Sequence, residues 1–171
     1  MINCQIAVLG LGVKPETELA VKCGLKIGEK GGISVNPCLQ TSDPHIWAVG
    51  DVIEVRNFVS GDMSLIALAG PANRQGRMAA DNIFLERKKT YAGTLGTAVV
   101  RVFDKIAACT GVNEKTLIAK KIPYEKLYLF PGSHAGYFPG AKEIAIKLLF
   151  SPSDRRLWEL RQLEKMEPIN G

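Results

Sequence analysis

Gly50 and Asp51 are the residues of this chain whose types and spacing best suit chemistry. They close the run Ile46-Trp47-Ala48-Val49, which Asp43-Pro44 introduces as a turn. A continuous apolar tetrapeptide is expected of a short strand covered on both faces of an α/β sheet. Ligands of such sheets sit beyond the carboxyl ends of the strands. A carboxylate directly after a glycine there is well placed to accept hydrogen bonds from the hydroxyls of a bound polyol. The same aspartate could cap a following turn, and the spacing alone leaves both readings open.

Other candidate groups fare less well. Gly10 and Gly12 begin a pattern resembling a phosphate-binding loop, but Lys14 and Pro15 stand where that motif would enter a helix and no third glycine follows, so it is rejected. Cys4, Cys23, Cys38 and Cys109 form no CxxC pair, and His45 and His134 stand at no ligand spacing to them. A zinc site and a disulfide framework are therefore not expected, and the thiols read as reduced packing residues. His134 and Tyr137 lie in the loop SHAGYFPGA, residues 133–141, where they could face a ligand. Loop aromatics more often pack or meet a partner.

The elements that must position these groups follow from periodicity and punctuation. Gln5 to Leu11 reads as an apolar strand, and so abrupt a start suggests sequence upstream of it. Thr17 to Cys23 is a short amphipathic helix stopped by Gly24. Ile33-Ser34-Val35 is a short strand between Gly31-Gly32 and Asn36-Pro37. After Ser60-Gly61-Asp62, a helix capped by Ser64 would carry Ala72, Gly76, Ala79, Ala80 and Ile83, small enough to lie close to a sheet. Its amino end offers free backbone N–H groups and a positive dipole end, suited to an electron-rich ligand atom. Beyond Gly93 the texture changes. Thr97 to Phe103, Tyr124 to Phe130 and Ile144 to Phe150 read as strands, and Asn113 as the N-cap of a helix over 114–120. Strands grouped around one helix make a small α+β unit.

Composition agrees with a globular protein: 46% of residues are hydrophobic and 23% charged, enough apolar side chain for a core. The net charge of +5 is spread along the chain, which argues against a nucleic-acid surface. No apolar run approaches the roughly 20 residues of a membrane span, and no signal segment opens the chain, so a cytoplasmic location is expected.

The ordered set GLGVKPETELA, GGISVN, TSDPHIWAVGD, LAGPANRQGRMAADNI and SHAGYFPGA resembles the carboxyl-terminal part of the pyridine nucleotide-disulfide oxidoreductases, most closely the coenzyme A-disulfide reductase and NADH oxidase branch. The resemblance runs from Gln5 to Asp154. It implies an α/β fold: the carboxyl-terminal part of an FAD-binding Rossmann-like domain over residues 1–92, followed by a dimerisation domain over 93–154. It implies FAD as cofactor, with Gly50 and Asp51 in the second FAD motif and Asp51 on the ribityl hydroxyls. The helix start at Leu68 and Ala69 would direct N–H groups to the flavin pyrimidine edge. Asn73 would lie near the thiol substrate, and the Tyr137 loop would reach toward the active site of the other subunit of a homodimer. NAD(P)H is the implied co-substrate and a small disulfide such as coenzyme A disulfide the implied substrate; an oxygen-reducing NADH oxidase shares the same motifs. The family's two GxGxxG motifs and its redox-active cysteine have no counterpart in these residues, so the chain is expected to be inactive by itself; the alternative is a non-catalytic fragment that at most associates with an intact subunit.

The last residues depart from the family. After the strand ending at Phe150 the family continues with a strand resembling LGAQAVG, whereas this chain has RRLWELRQLEKMEPING. Reading the implied codons from the third base of the Arg156 codon permits ALGAQAVGKDGADKR, which resembles the family's continuation. Residues 155–171 are therefore expected to be translated out of frame, leaving the second domain incomplete with an open sheet edge. The other reading is an amphipathic terminal helix, with Leu157, Leu160 and Leu163 about one turn apart.

Overall fold

Which apolar stretches become strands depends on which find a hydrogen-bonded neighbour. The computed structural model describes residues 3–85 and 88–165. Helix α1 covers Glu18–Lys22 and stops at Gly24, whose φ of 72° is reached at little cost by a residue without a Cβ. Strand β1, Ile33–Ser34, runs parallel to β2, Ile53–Arg56, which pairs antiparallel with β3, Met63–Ser64. Helix α2, Ala69–Phe84, packs on this three-stranded sheet, and Ala20, Ile33, Leu39, Ala48, Ile53, Val55 and Ala79 form the buried core between them. One polar residue is sealed into this sheet. Glu54 on β2 accepts hydrogen bonds from the backbone N–H groups of Lys30 at 2.5 Å and Gly32 at 3.3 Å, and so fixes the turn before β1. A Cβ at Gly28 would collide with that carboxylate.

Two expected strands are absent. Residues 5–11 form no strand, and Ile6, Val8, Leu9 and Leu11 are 81–90% exposed. An apolar sequence becomes a strand only against a partner edge, and β1 has its single ladder partner in β2. Residues 46–49 also form no strand beyond one bridge between Gln40 and Trp47. Their backbone bonds turn back locally, Thr41 N–H to Ile46 O at 2.9 Å and Ala48 N–H to Leu39 O at 3.1 Å. Ala48 alone of the four is fully buried. The α2 forecast also shifts. Ser64 lies in β3, five residues ahead of the helix; Leu68 is the N-cap and provides no side-chain bond, while Pro71 sits in the first turn. The buried face carries Gln75, Ala79 and Asn82, whereas Ala80 and Ile83 are exposed.

The second sheet has five antiparallel-paired strands in the order β4-β5-β8-β7-β6: β4 Ala98–Val102, β5 Lys105–Gly111, β6 Glu125–Leu129, β7 Ile144–Phe150 and β8 Leu157–Lys165. Helix α3, Glu114–Ala119, covers one face and buries Leu117 against Val112 and Leu149. Asn113 caps it as expected, its side-chain oxygen accepting from Thr116 N–H at 2.9 Å. On β7 the residue that reaches the core is Leu149; the opposite set Ile144, Ile146, Leu148 and Phe150 is only half-buried. The outcome for the tail is a strand, β8, in place of a helix. The expectation of a sheet left incomplete here meets a continuous five-stranded sheet, because ladders to β5 and β7 supply backbone bonds whatever the side chains are. The side chains fit less well. Glu159 is 3% exposed with Oε2 unbonded, and the neighbouring Trp158 Nε1 is buried and unbonded too. Among the described residues no helix is long and apolar enough to cross a membrane.

Candidate functional site

The turn at Gly50–Val52 is a single 3-10 turn, entered from extended Val49. Gly50 has φ of 81°, a conformation that a side chain would strain. Its N–H donates to Gln75 Oε1 at 2.7 Å, and Gln75 is 2% exposed on α2. One buried amide thus ties the turn to the second turn of the helix. Asp51 is exposed, and its carboxylate makes no hydrogen bond or ion pair among the described residues. Both oxygens are open to a hydroxyl donor.

The helix start faces the same space. Leu68 is half-buried, and its N–H donates to Ile66 O at 3.1 Å. The exposed N–H groups of Ala69 and Gly70 are unbonded, as the first turn of a helix leaves them. Pro71 has no N–H to offer, so the free donors are two adjacent amides. Asp51, Ala69, Ala72, Asn73, Gly76 and Arg77 line an open groove of about 620 Å³. The small stripe Ala72 and Gly76 forms its floor, which explains their size better than close helix packing does. Asn73 Nδ2 is occupied by Ala69 O at 2.9 Å, leaving its Oδ1 as the free acceptor. Arg77 also lines it, with no acidic partner among the described residues.

The structure therefore brings together Gly50, Asp51, Ala69 and Asn73; Leu68, the N-cap of α2, does not line the groove. Tyr137 lies elsewhere, 86% exposed on the loop between β6 and β7, its ring 5.5 Å from that of Phe138. His134 closes that loop on itself through Ser133 Oγ at 3.1 Å and Pro139 O at 3.3 Å. Gln75 escaped sequence reading although it left a signal, a polar residue one helical turn before Ala79 on the buried face.

Residues 1–76 match the family model described as pyridine nucleotide-disulphide oxidoreductase. Over those residues the chain carries that family's pattern, as a fragment. It is 38% identical over 151 residues to an NADH oxidase of Methanocaldococcus jannaschii, covering 88% of this chain and 33% of that one. It is 32% identical to the NAD(P)H coenzyme A polysulfide/persulfide reductase of Pyrococcus horikoshii, covering 91% of this chain and 35% of that one. Among solved structures, reduced CoADR-RHD of Bacillus anthracis superposes with a TM-score of 0.86 at 49% identity, over 90% of this chain and 28% of that one. The α/β architecture is that of these relatives, and the chain spans about a third of the length of the curated proteins it matches.

Proposed function

We propose that this chain supplies the ribityl side of the flavin site of an FAD- and NAD(P)H-dependent reductase acting on coenzyme A disulfide or persulfide. The supporting observation is the lock between Gly50 and Gln75, which holds the free carboxylate of Asp51 and the free N–H group of Ala69 on one groove, with the Gly70 N–H next in the chain. That donor and acceptor set fits a flavin: a carboxylate for ribityl hydroxyls and helix-start amides for an electron-rich ring edge. When bound, the flavin supplies the redox chemistry between nicotinamide and thiol. The protein groups bind and orient: Asp51 accepts from hydroxyls, Ala69 and Gly70 donate to the ring edge, and Asn73 Oδ1 stands ready for a thiol substrate. In this reading residues 1–92 are the flavin-side unit and 93–154 a homodimerisation unit that carries Tyr137 toward the other subunit's site, all in the cytoplasm.

The 38% identity to an NADH oxidase favours a second reading, oxygen reduction, with the same groove. A third, favoured by the lack of a GxGxxG motif and of the family's redox cysteine setting in this sequence, is a non-catalytic chain that associates with an intact subunit. FAD titration followed by flavin fluorescence and absorbance tests the groove. The chain should bind FAD weakly, and Asp51→Ala should remove that binding. Stoichiometric yellow protein as purified overturns the expectation of weak binding; an Asp51→Ala chain that binds equally overturns the site. The frame of residues 155–171 is tested on the DNA: third bases that do not spell ALGAQAVGKDGADKR refute a frameshift.

A further inference from the structure

His134 spends both ring nitrogens inside its own loop, residues 130–143, which joins β6 to β7. At the base of this loop the hairpin continues: Ile144 N–H donates to Pro131 O at 2.8 Å, Ser133 N–H donates to Lys142 O at 2.7 Å, and Gly132 bridges Glu143. Above that base the backbone ladder ends and the His134 side chain takes its place. Its Nε2 meets Pro139 O at 3.3 Å across the loop, and because a carbonyl only accepts, Nε2 carries the proton. Nδ1 then accepts from the Ser133 hydroxyl at 3.1 Å, whose oxygen in turn accepts from Lys142 N–H at 3.2 Å. With both nitrogens engaged, His134 is not available as a base for a ligand.

The same bonds fix Tyr137. Residues 134 and 139 flank a turn closed by Phe138 N–H to Ala135 O at 2.9 Å, with Tyr137 at its third position. The Phe138 ring stands edge-on to the imidazole, centroids 6.4 Å apart and planes at 82°, and the Tyr137 ring leans on Phe138 at 5.5 Å and 45°. Contacts thus run from His134 through Phe138 to Tyr137. The direction of the phenol is set by a ring three positions earlier, through bonds that lie wholly within residues 131–144.

We propose that His134, as the neutral Nε2–H tautomer, is the positioning residue that holds Tyr137 for the thiol substrate at the other subunit's site. This role rests on the reading above, in which the loop reaches that site, whereas the closure of the loop stands on its own bonds.

NMR of the full chain tests both parts. Long-range proton–nitrogen correlations should show the Nε2–H tautomer of His134 at neutral pH. In His134→Ala, hydrogen exchange at the Ser133 and Phe138 amides should quicken by about threefold, the weight of a neutral bond in contact with water, and the Tyr137 ring signals should move toward those of free tyrosine. His134→Gln keeps a donor for Pro139 O and should restore most of both. The amides of Leu117 and Leu149, in the core of the second sheet, should not change in any variant. Coenzyme A, added with FAD in excess, then tests the destination: it should shift the Tyr137 ring signals in the parent and in His134→Gln, and His134→Ala should need about threefold more of it. The Nδ1–H tautomer, loop amides and Tyr137 signals unchanged in His134→Ala, or no rescue by His134→Gln overturns the positioning role. Tyr137 signals that ignore coenzyme A in a parent whose loop behaves as stated overturn the reading on which that role rests.

Discussion

Replacing Glu159 with leucine should make the protein more stable. The carboxylate sits on β8 between β5 and β7, 3% exposed. Its Oε1 accepts from Arg161 Nη2 at 2.7 Å, but that arginine side chain is 52% exposed, and Oε2 has no partner. A buried, unbonded polar atom costs about 1–3 kcal/mol. The ion pair lost with it, half in water, contributes about 0–1 kcal/mol. The difference is a gain of about 0–3 kcal/mol, increased slightly by leucine's own burial, or about 2–4 °C in Tm for each kcal/mol in a chain of this size. Urea unfolding followed by tryptophan fluorescence reads it, since Trp158 is adjacent. Arg161→Ala is the control and should act in the opposite sense, because it leaves the whole carboxylate uncompensated. A Glu159→Leu chain less stable than the parent by about 1 kcal/mol would refute the reasoning and mark the Glu159–Arg161 pair as a net stabiliser. A gain would agree with the out-of-frame reading of this segment, whose alternative ALGAQAVG places no charge there.

Gln75→Ala should destabilise the chain by about 1–3 kcal/mol by orphaning the Gly50 N–H, measured as a shift in urea midpoint, and should weaken FAD binding as much as Asp51→Ala does. Glu114 supplies a pH test. Lys147 Nζ at 2.5 Å, then Tyr124 Oη at 2.8 Å and Lys126 Nζ at 3.1 Å, hold its carboxyl down from 4.5 to about 2. A carboxyl depressed in the folded state contributes stability that is complete above 4.5 and lost as pH falls from 4.5 to about 2. Thermal melts from pH 7 downward should therefore show Glu114→Gln below the parent at neutral pH, with the gap closing through that window; a gap independent of pH would disprove the linkage.

Much of the second sheet was legible because its strands alternate and its helix starts at Asn113, a residue whose side chain satisfies an N–H locally. β5 was not. KIAACTG alternates poorly and is rich in small residues, and it is held by neighbours on both sides, β4 and β8. Conversely 5–11 and 46–49 look like strands by composition alone, yet strand formation is a property of pairs, and local bonds to Leu39 and Thr41 won in the second case. Asp51 was visible because a glycine precedes it at an element boundary. The roles of Gln75 and Glu54 were not legible because each acts on a backbone amide distant in sequence, 25 positions away for Gln75 and 22 and 24 for Glu54, even though the polarity of Gln75 on an apolar face was.

The groove and the misfit strand depend on different cores, and this decides how the chain's anomalies bear on its function. Asp51, Ala69 and Asn73 are held by α2 and the turn at Gly50, which rest on the cluster of Ala48, Ile53 and Ala79. Glu159 belongs with the strand that abuts Val112, Leu117 and Leu149. Among the described residues the two are joined by the bridge between Asn57 and Thr94, by Val59 against the second cluster and by the Lys120–Asp62 ion pair at 2.7 Å, and an open cavity lies between them. An exposed ion pair and one bridge transmit little energy. A poorly fitting β8 therefore weakens the second sheet while leaving the Asp51 carboxylate and the amides that open α2 in place for the proposed ligand.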